Sequence, residues 1–128
     1  IDWNACKNSK ENAIQNNVIV DVVQADVATA FRENVFRLVI ANPPYLPLKR
    51  REKMLNIAAG EELEILEKFV KTSATCLKRS EVLLITTSTL TPLKGFKGIC
   101  EKYGFRCEEY FSKRTLVDKI IVFKCVKL

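Results

Sequence analysis

Four residues in this chain have types and spacing suited to binding chemistry: Asn42, Pro43, Pro44 and Tyr45. They follow directly on an apolar stretch, Phe36 to Ala41. Asn before Pro is driven to an extended backbone. Each proline has a fixed φ and no N–H. The run is therefore stiff and presents carbonyl oxygens without competing donors. The Asn42 side-chain oxygen and the Pro43 carbonyl can converge on one external –NH2 group, and Tyr45 can stack on a flat partner. The same four residues also read as a rigid turn that closes a strand. Their place at a strand's carboxyl end, where open α/β sheets bind ligands, favours the receptor.

Two acidic residues occupy similar places. Asp2 follows Ile1, read as the tail of a strand, and Asp26 lies two residues beyond the β-branched run Val18 to Gln24. A carboxylate after such a strand can accept hydrogen bonds from a ribose diol, and one in the next loop can accept from an adenine amine. Each Asp could equally cap a turn.

The elements that must position these groups alternate. A helix follows Asp2, with Asn4 as N-cap and Asn16–Asn17 as its stop. Val18 to Gln24 and Phe36 to Ala41 read as strands. The spacing of Leu63, Leu66, Val70, Ala74 and Leu77 predicts a helix over Gly60 to Arg79. Val82 to Thr87 is continuously apolar, as a strand covered on both faces should be. Thr91 reads as a cap before Pro92, and Phe96, Ile99, Cys100 and Tyr103 fall on one helical face that Gly104 ends. The runs "FRCEEYF" and "TLVDKIIVFKCVKL" read as a closing antiparallel hairpin. The order implies an α/β fold with a mostly parallel sheet.

Composition narrows the function classes. With 128 residues the chain is read as one domain, 1–128. Hydrophobic residues at 48% and charged residues at 28% fit a globular, cytoplasmic protein with no membrane span. Histidine is absent, which excludes His-based triads and His metal sites within the chain. The five cysteines form no Cys-x-x-Cys pair, so reduced, mostly buried thiols are expected, with no metal site. The net charge of +6 fits nucleic acid or acidic partners, although the basic residues are scattered apart from "KRREK", Lys49 to Lys53.

With these residues in view, "ANPPYLP" and the later "GEELEILEKF" resemble class I S-adenosylmethionine-dependent methyltransferases that modify a planar nitrogen. The likeness is strongest to HemK-like release-factor glutamine methyltransferases of the archaeal and eukaryotic type. It implies a Rossmann-like fold over the whole chain. It implies that Asp2 holds the cofactor ribose, with Trp3 beside the adenine. Asp26 would meet the adenine amine, with Val27 packed on the ring. Asn42, Pro43, Pro44 and Tyr45 would bind the acceptor nitrogen, with Asn42 also facing the cofactor and Asn42, Pro43 and Tyr45 carrying the catalytic role. "KRREK" would border the substrate entrance.

The family's first strand, first helix and Gly-rich cofactor loop have no counterpart here, so the resemblance implies an N-terminally truncated domain, inactive by itself. Such relatives commonly pair a sheet edge with a small zinc-binding activator protein, and Val18 to Gln24 is the candidate edge. The other readings are an RNA or DNA amino-methyltransferase acting on adenine or guanine, and a non-catalytic binding module.

Overall fold

The computed structural model describes residues 2–44 and 58–128, with side chains from residue 63 onward in the second stretch. Tyr45, Leu46 to Ile57 and the Lys49 to Lys53 cluster lie outside the described residues. The chain forms two compact units, one ending at Phe31 and one running from Arg32 to Leu128.

The first unit is built on helix α1, Trp3–Gln15. Its N-cap is Asp2, not Asn4: the Asp2 Oδ1 accepts from the Asn4 N–H at 2.8 Å, and Asn4 is helical. Asp reaches an orphan N–H of the first turn from the residue before the helix, and Asp2 has the extended backbone a cap requires. The stop at Asn16–Asn17 is as expected, with Asn17 at φ 52°. Val18 to Gln24, expected to be a strand, forms none. A strand needs a hydrogen-bonded neighbour, and β propensity alone does not supply one. Ile19 is fully exposed and Val18 and Val20 are half-exposed. The residues beyond Asp26 are turns.

The second unit runs β1 (Phe36–Ala41), α2 (Ala58–Cys76), β2 (Leu77–Ser88), α3 (Leu93–Lys102), β3 (Phe105–Arg114) and β4 (Lys119–Lys127). The sheet order is β1-β2-β4-β3. Among the described residues only β1 and β2 pair in parallel; β2–β4 and β4–β3 are antiparallel. The sheet of the described residues is thus mixed, where alternation of strands and helices had predicted a mostly parallel one. The expected closing hairpin is present, and its second strand inserts beside β2, which turns the ladder antiparallel.

Helices α2 and α3 pack on one face of this sheet. Leu66 and Val70 of α2 and Phe96 and Cys100 of α3 meet Leu83 and Ile85 of β2 and Ile121 and Phe123 of β4, all buried. The Phe96 and Phe123 rings lie 5.1 Å apart, tilted by 45°. Leu84 and Thr86, on the opposite face of β2, are only partly buried, so the two-sided cover expected for this strand is not seen among the described residues.

The boundaries of α2 and β2 depart from expectation. The chain leaves α2 at Cys76 and enters β2 at once, so Leu77 to Arg79 are strand, not helix. A bulge takes up the slack: Phe36 pairs with Leu77 and Leu38 with Val82, and Ser80 within it has φ 63°. At α3 the cap position falls on Pro92, with no side-chain cap bond, so Thr91 does not cap.

Two cysteines, expected to be reduced, are joined. Cys107 and Cys125 lie opposite one another in the β3–β4 register and form a disulfide. Their separation of 18 residues gave no hint of pairing; only the register of the hairpin brings them face to face.

Candidate functional site

In the second unit β1 ends at Ala41, opposite Ile85, and its parallel neighbour β2 runs on three residues further to Ser88 at the same end of the sheet. The next three residues differ sharply in exposure: Asn42 is exposed, Pro43 is fully buried and Pro44 is exposed. The buried Pro43 ring anchors the segment, and its fixed φ leaves little freedom for the residue before it. The Asn42 backbone is therefore held at the sheet's carboxyl end, with its side chain exposed. Tyr45, expected to flank that ligand, lies outside the described residues.

The end of β2 supplies groups that sequence reasoning passed over. Thr87, Ser88 and Thr91 are buried. The Ser88 hydroxyl accepts from the Leu90 N–H at 3.1 Å. The Thr87 and Thr91 hydroxyls have no partner among the described residues. The signal was the hydroxyl-rich run "TTSTLT" after an apolar strand, which reads as an ordinary loop unless the strand's end is known to be a site.

The first unit carries the residues expected to hold a nucleoside. Asp2 is exposed, with Oδ1 engaged as a helix cap. Trp3 beside it is 66% exposed, an open aromatic face. Asp26 opens a turn, its carbonyl accepting from the Thr29 N–H at 3.2 Å and the Thr29 hydroxyl at 2.8 Å. Val27 follows with φ 55°. That backbone region is rare for a β-branched residue and marks stored strain, which clusters at ligand sites. A cavity of about 440 Å³ lies along α1, lined by Trp3, Cys6, Ile14 and Val22 among others.

Carboxylates can accept from ribose hydroxyls and an amine, and an open indole offers a flat face, so the chemistry of these residues is compatible with the nucleoside part of S-adenosylmethionine. None of the four glycines, at 60, 95, 98 and 104, precedes Asn42 to wrap the methionine part.

Electrostatic shifts in the second unit lie elsewhere. Hydrogen bonds from Lys102 and Tyr103 hold the Glu67 carboxyl below its ordinary value, and Lys102 is raised in return. Hydrogen bonds from Lys119 and Ser112 lower Glu109. Burial pushes the Cys100 thiol up to about 12. The sulfurs of Cys100, Cys107 and Cys125 lie within 4.8 Å of one another.

No helix of the described residues is long and apolar enough to cross a membrane. A family model described as "Methyltransferase small domain" matches residues 1–103. A Methanocaldococcus jannaschii protein, MJ0928, provisionally named a protein N5-glutamine methyltransferase, is 32% identical over 133 residues. That match covers 97% of this chain and 66% of the relative, so the chain spans slightly less than two thirds of the relative's length. Among solved structures, the E. cuniculi Mtq2–Trm112 complex, described as responsible for methylating the translation termination factor eRF1, superposes with a TM-score of 0.67. Its identity is 18%, over 92% of this chain and 68% of that one. A DNA modification methylase of Thermus thermophilus, provisionally so named and complexed with S-adenosyl-L-methionine, gives 0.55 at 19% identity, over 80% and 52%. At such identities the structural likeness establishes the fold.

Proposed function

Since the chain belongs to the methyltransferase small-domain family, we propose that the whole protein is an S-adenosylmethionine-dependent N-methyltransferase whose acceptor is the glutamine side chain of a translation release factor. The observation that carries this reading is the exposed Asn42 side chain at the sheet's carboxyl end, where the buried Pro43 holds its backbone. The glutamine methyltransferase name of the 32%-identical relative and the eRF1 role stated for Mtq2 support the choice of acceptor.

S-adenosylmethionine supplies the methyl group from its sulfonium. In this reading Asp2, Trp3, Asp26 and Val27 bind its adenosine part. Asn42 and Pro43 do the work on the acceptor. An amide nitrogen is a poor nucleophile because its lone pair is delocalised. Two carbonyl oxygens accepting from its –NH2 would orient the lone pair for in-line attack and stabilise the positive charge that develops. As the N–CH3 bond forms, the S–CH3 bond of the sulfonium would break and leave a neutral thioether, and the proton shed by the methylated nitrogen would pass to solvent water; positioning, with no strong base, carries the rate. Pro44 and Tyr45 would complete the acceptor pocket. The apolar row Val18 to Val20, exposed though not a strand, is offered as a contact for a small partner protein of the Trm112 kind.

The test is Asn42→Ala in the whole protein, with labelled cofactor and four acceptors: release factor, tRNA, rRNA and DNA. The expected result is label on the release factor by the wild type, none by the variant, and nearly intact cofactor binding by calorimetry. Label on nucleic acid alone would transfer the reading to an amino-methyltransferase of adenine or guanine, which the +6 charge would suit. Full activity of the variant would remove Asn42 from the chemistry.

A further inference from the structure

The β3–β4 hairpin returns the chain to the end of the sheet that carries Asn42. The register sets this: Ser88, the last residue of β2, pairs with Ile120, and Arg114 pairs with Lys119. The connecting loop, Thr115 to Asp118, therefore projects beyond the same edge at which β1 and β2 end. Its base is fastened to the exit of β2. The Thr89 N–H donates to the Lys119 carbonyl at 3.0 Å, and the Thr89 hydroxyl accepts from the Lys119 N–H at 3.0 Å.

The loop is built to hold its shape. The Thr115 N–H donates to the Asp118 carbonyl at 2.8 Å. The Thr115 hydroxyl accepts from the N–H groups of Val117 and Asp118, at 3.2 and 3.1 Å, and bonds the Asp118 carboxylate. This network holds two aliphatic side chains in the open, Leu116 at 104% and Val117 at 80% exposure. Tyr110 and Phe111 on β3 are also exposed, at a bulge where Tyr110 has no cross-strand partner. A fixed loop that exposes large apolar residues forgoes their burial in the monomer, and it loses little entropy when a partner covers them.

Charge selects the kind of partner. Lys113 and Arg114 flank the loop, exposed and without an ion pair among the described residues. The nearby Glu109 is neutralised by Lys119 at 2.8 Å. The tip is therefore apolar with free positive charge beside it, complementary to an apolar segment bordered by carboxylates. Nucleic acid fits it poorly. At the tip itself Leu116 and Val117 are aliphatic and offer no stacking face, since the exposed rings Tyr110 and Phe111 lie back along β3, and Asp118 stands at the loop's base against phosphate.

We propose that the tip Leu116–Val117, with Lys113 and Arg114, docks the acceptor protein: an apolar, acid-flanked segment of the release factor seats there while its glutamine reaches Asn42. This rests on the reading of the function above and adds the surface that selects the acceptor.

The test uses the whole protein, its release factor, and a short glutamine peptide too small to reach the hairpin. Leu116→Asp with Val117→Asp changes only exposed side chains, and thermal unfolding checks that the fold is kept. The expected result is a rise in KM for the release factor of about tenfold or more, the scale of losing an interface anchor. The kcat at saturation, the cofactor affinity and turnover of the peptide stay as in the wild type. Lys113→Glu with Arg114→Glu should raise the same KM more at low salt than at high salt. Unchanged KM for the release factor in the aliphatic variant, with an active wild type, would overturn the docking alone. A KM effect confined to RNA or DNA would overturn the protein partner. A wild type that labels no release factor would overturn the reading of function, and the docking with it.

Discussion

Glu67 on α2 accepts two hydrogen bonds from the end of α3, from Lys102 Nζ at 2.6 Å and from the Tyr103 hydroxyl at 2.8 Å. This polar clasp joins the two helices at the rim of the core their apolar faces share. Both donors favour the ionised carboxylate, which is why its pKa lies below the ordinary value. In the window between the folded and unfolded values the unfolded state binds more protons. The pair's contribution is therefore complete above the ordinary glutamate range and is lost as pH falls through the lowered value. Glu67→Gln should flatten that part of the stability-versus-pH curve, leaving it parallel to wild type near neutrality. Denaturant melts from about pH 3 to about pH 7 measure this, and identical curves would remove the clasp from the acid response.

Val27 should show a conflict between stability and binding. Its φ of 55° suits glycine and penalises a β-branched side chain. Val27→Gly should leave stability unchanged or raise it by up to about 1 kcal/mol, while, with Val27 packed on the adenine as proposed above, weakening S-adenosylmethionine binding by the whole protein about tenfold. Calorimetry with the cofactor beside a thermal melt reads both. Unchanged affinity would make the strain a turn's affair alone.

The Cys107–Cys125 bridge spans 18 residues. Closing a loop of that size stabilises by roughly 3 kcal/mol in the chain-entropy account. Cys107→Ala should lower the melting temperature, and a strong reductant should bring the wild type down to nearly the same value. A wild type indifferent to reductant would show that the bridge contributes nothing.

Thiol reactivity should divide the remaining cysteines. Cys100 is buried with its pKa raised to about 12, so little thiolate exists near neutral pH. Cys76 is buried and raised as well. Cys6 on α1 is only partly covered. Alkylation followed by mass spectrometry should modify Cys6 in minutes, with Cys100 protected until the protein unfolds. Early labelling of Cys100 would contradict the packing of α3.

The core should be least tolerant at Phe96, which is fully buried against Phe123. Phe96→Ala should cost about 3–5 kcal/mol. A denaturant midpoint within error of wild type would exclude this ring as an anchor of α3.

The sequence is most legible where one residue's environment depends on its near neighbours. The face of Phe96, Ile99, Cys100 and Tyr103 could be read because helical period alone places it, and the end of β1 just before Asn42 because proline chemistry is local. Val18 to Gln24 could not, since a strand exists only through a partner that the run itself does not contain. The disulfide was invisible for a related reason: Cys107 and Cys125 are brought together by hairpin register. Asp2 shows a third limit. It has the carboxylate a ribose would need, and one of its oxygens is also the cap of α1.

The order β1-β2-β4-β3 also has a meaning for synthesis. Of the four strands in this sheet, the one made last is an interior one, hydrogen-bonded to β2 on one side and β3 on the other. At roughly 5–20 residues per second, β2 must wait on the order of seconds for it. During that interval a strand rich in Leu and Ile keeps one ladder edge open in a crowded cell. The nascent chain is thus most vulnerable between the emergence of β2 and the arrival of β4. A chaperone that shields extended apolar segments should bind the newly made chain during that interval and release it once β4 has paired.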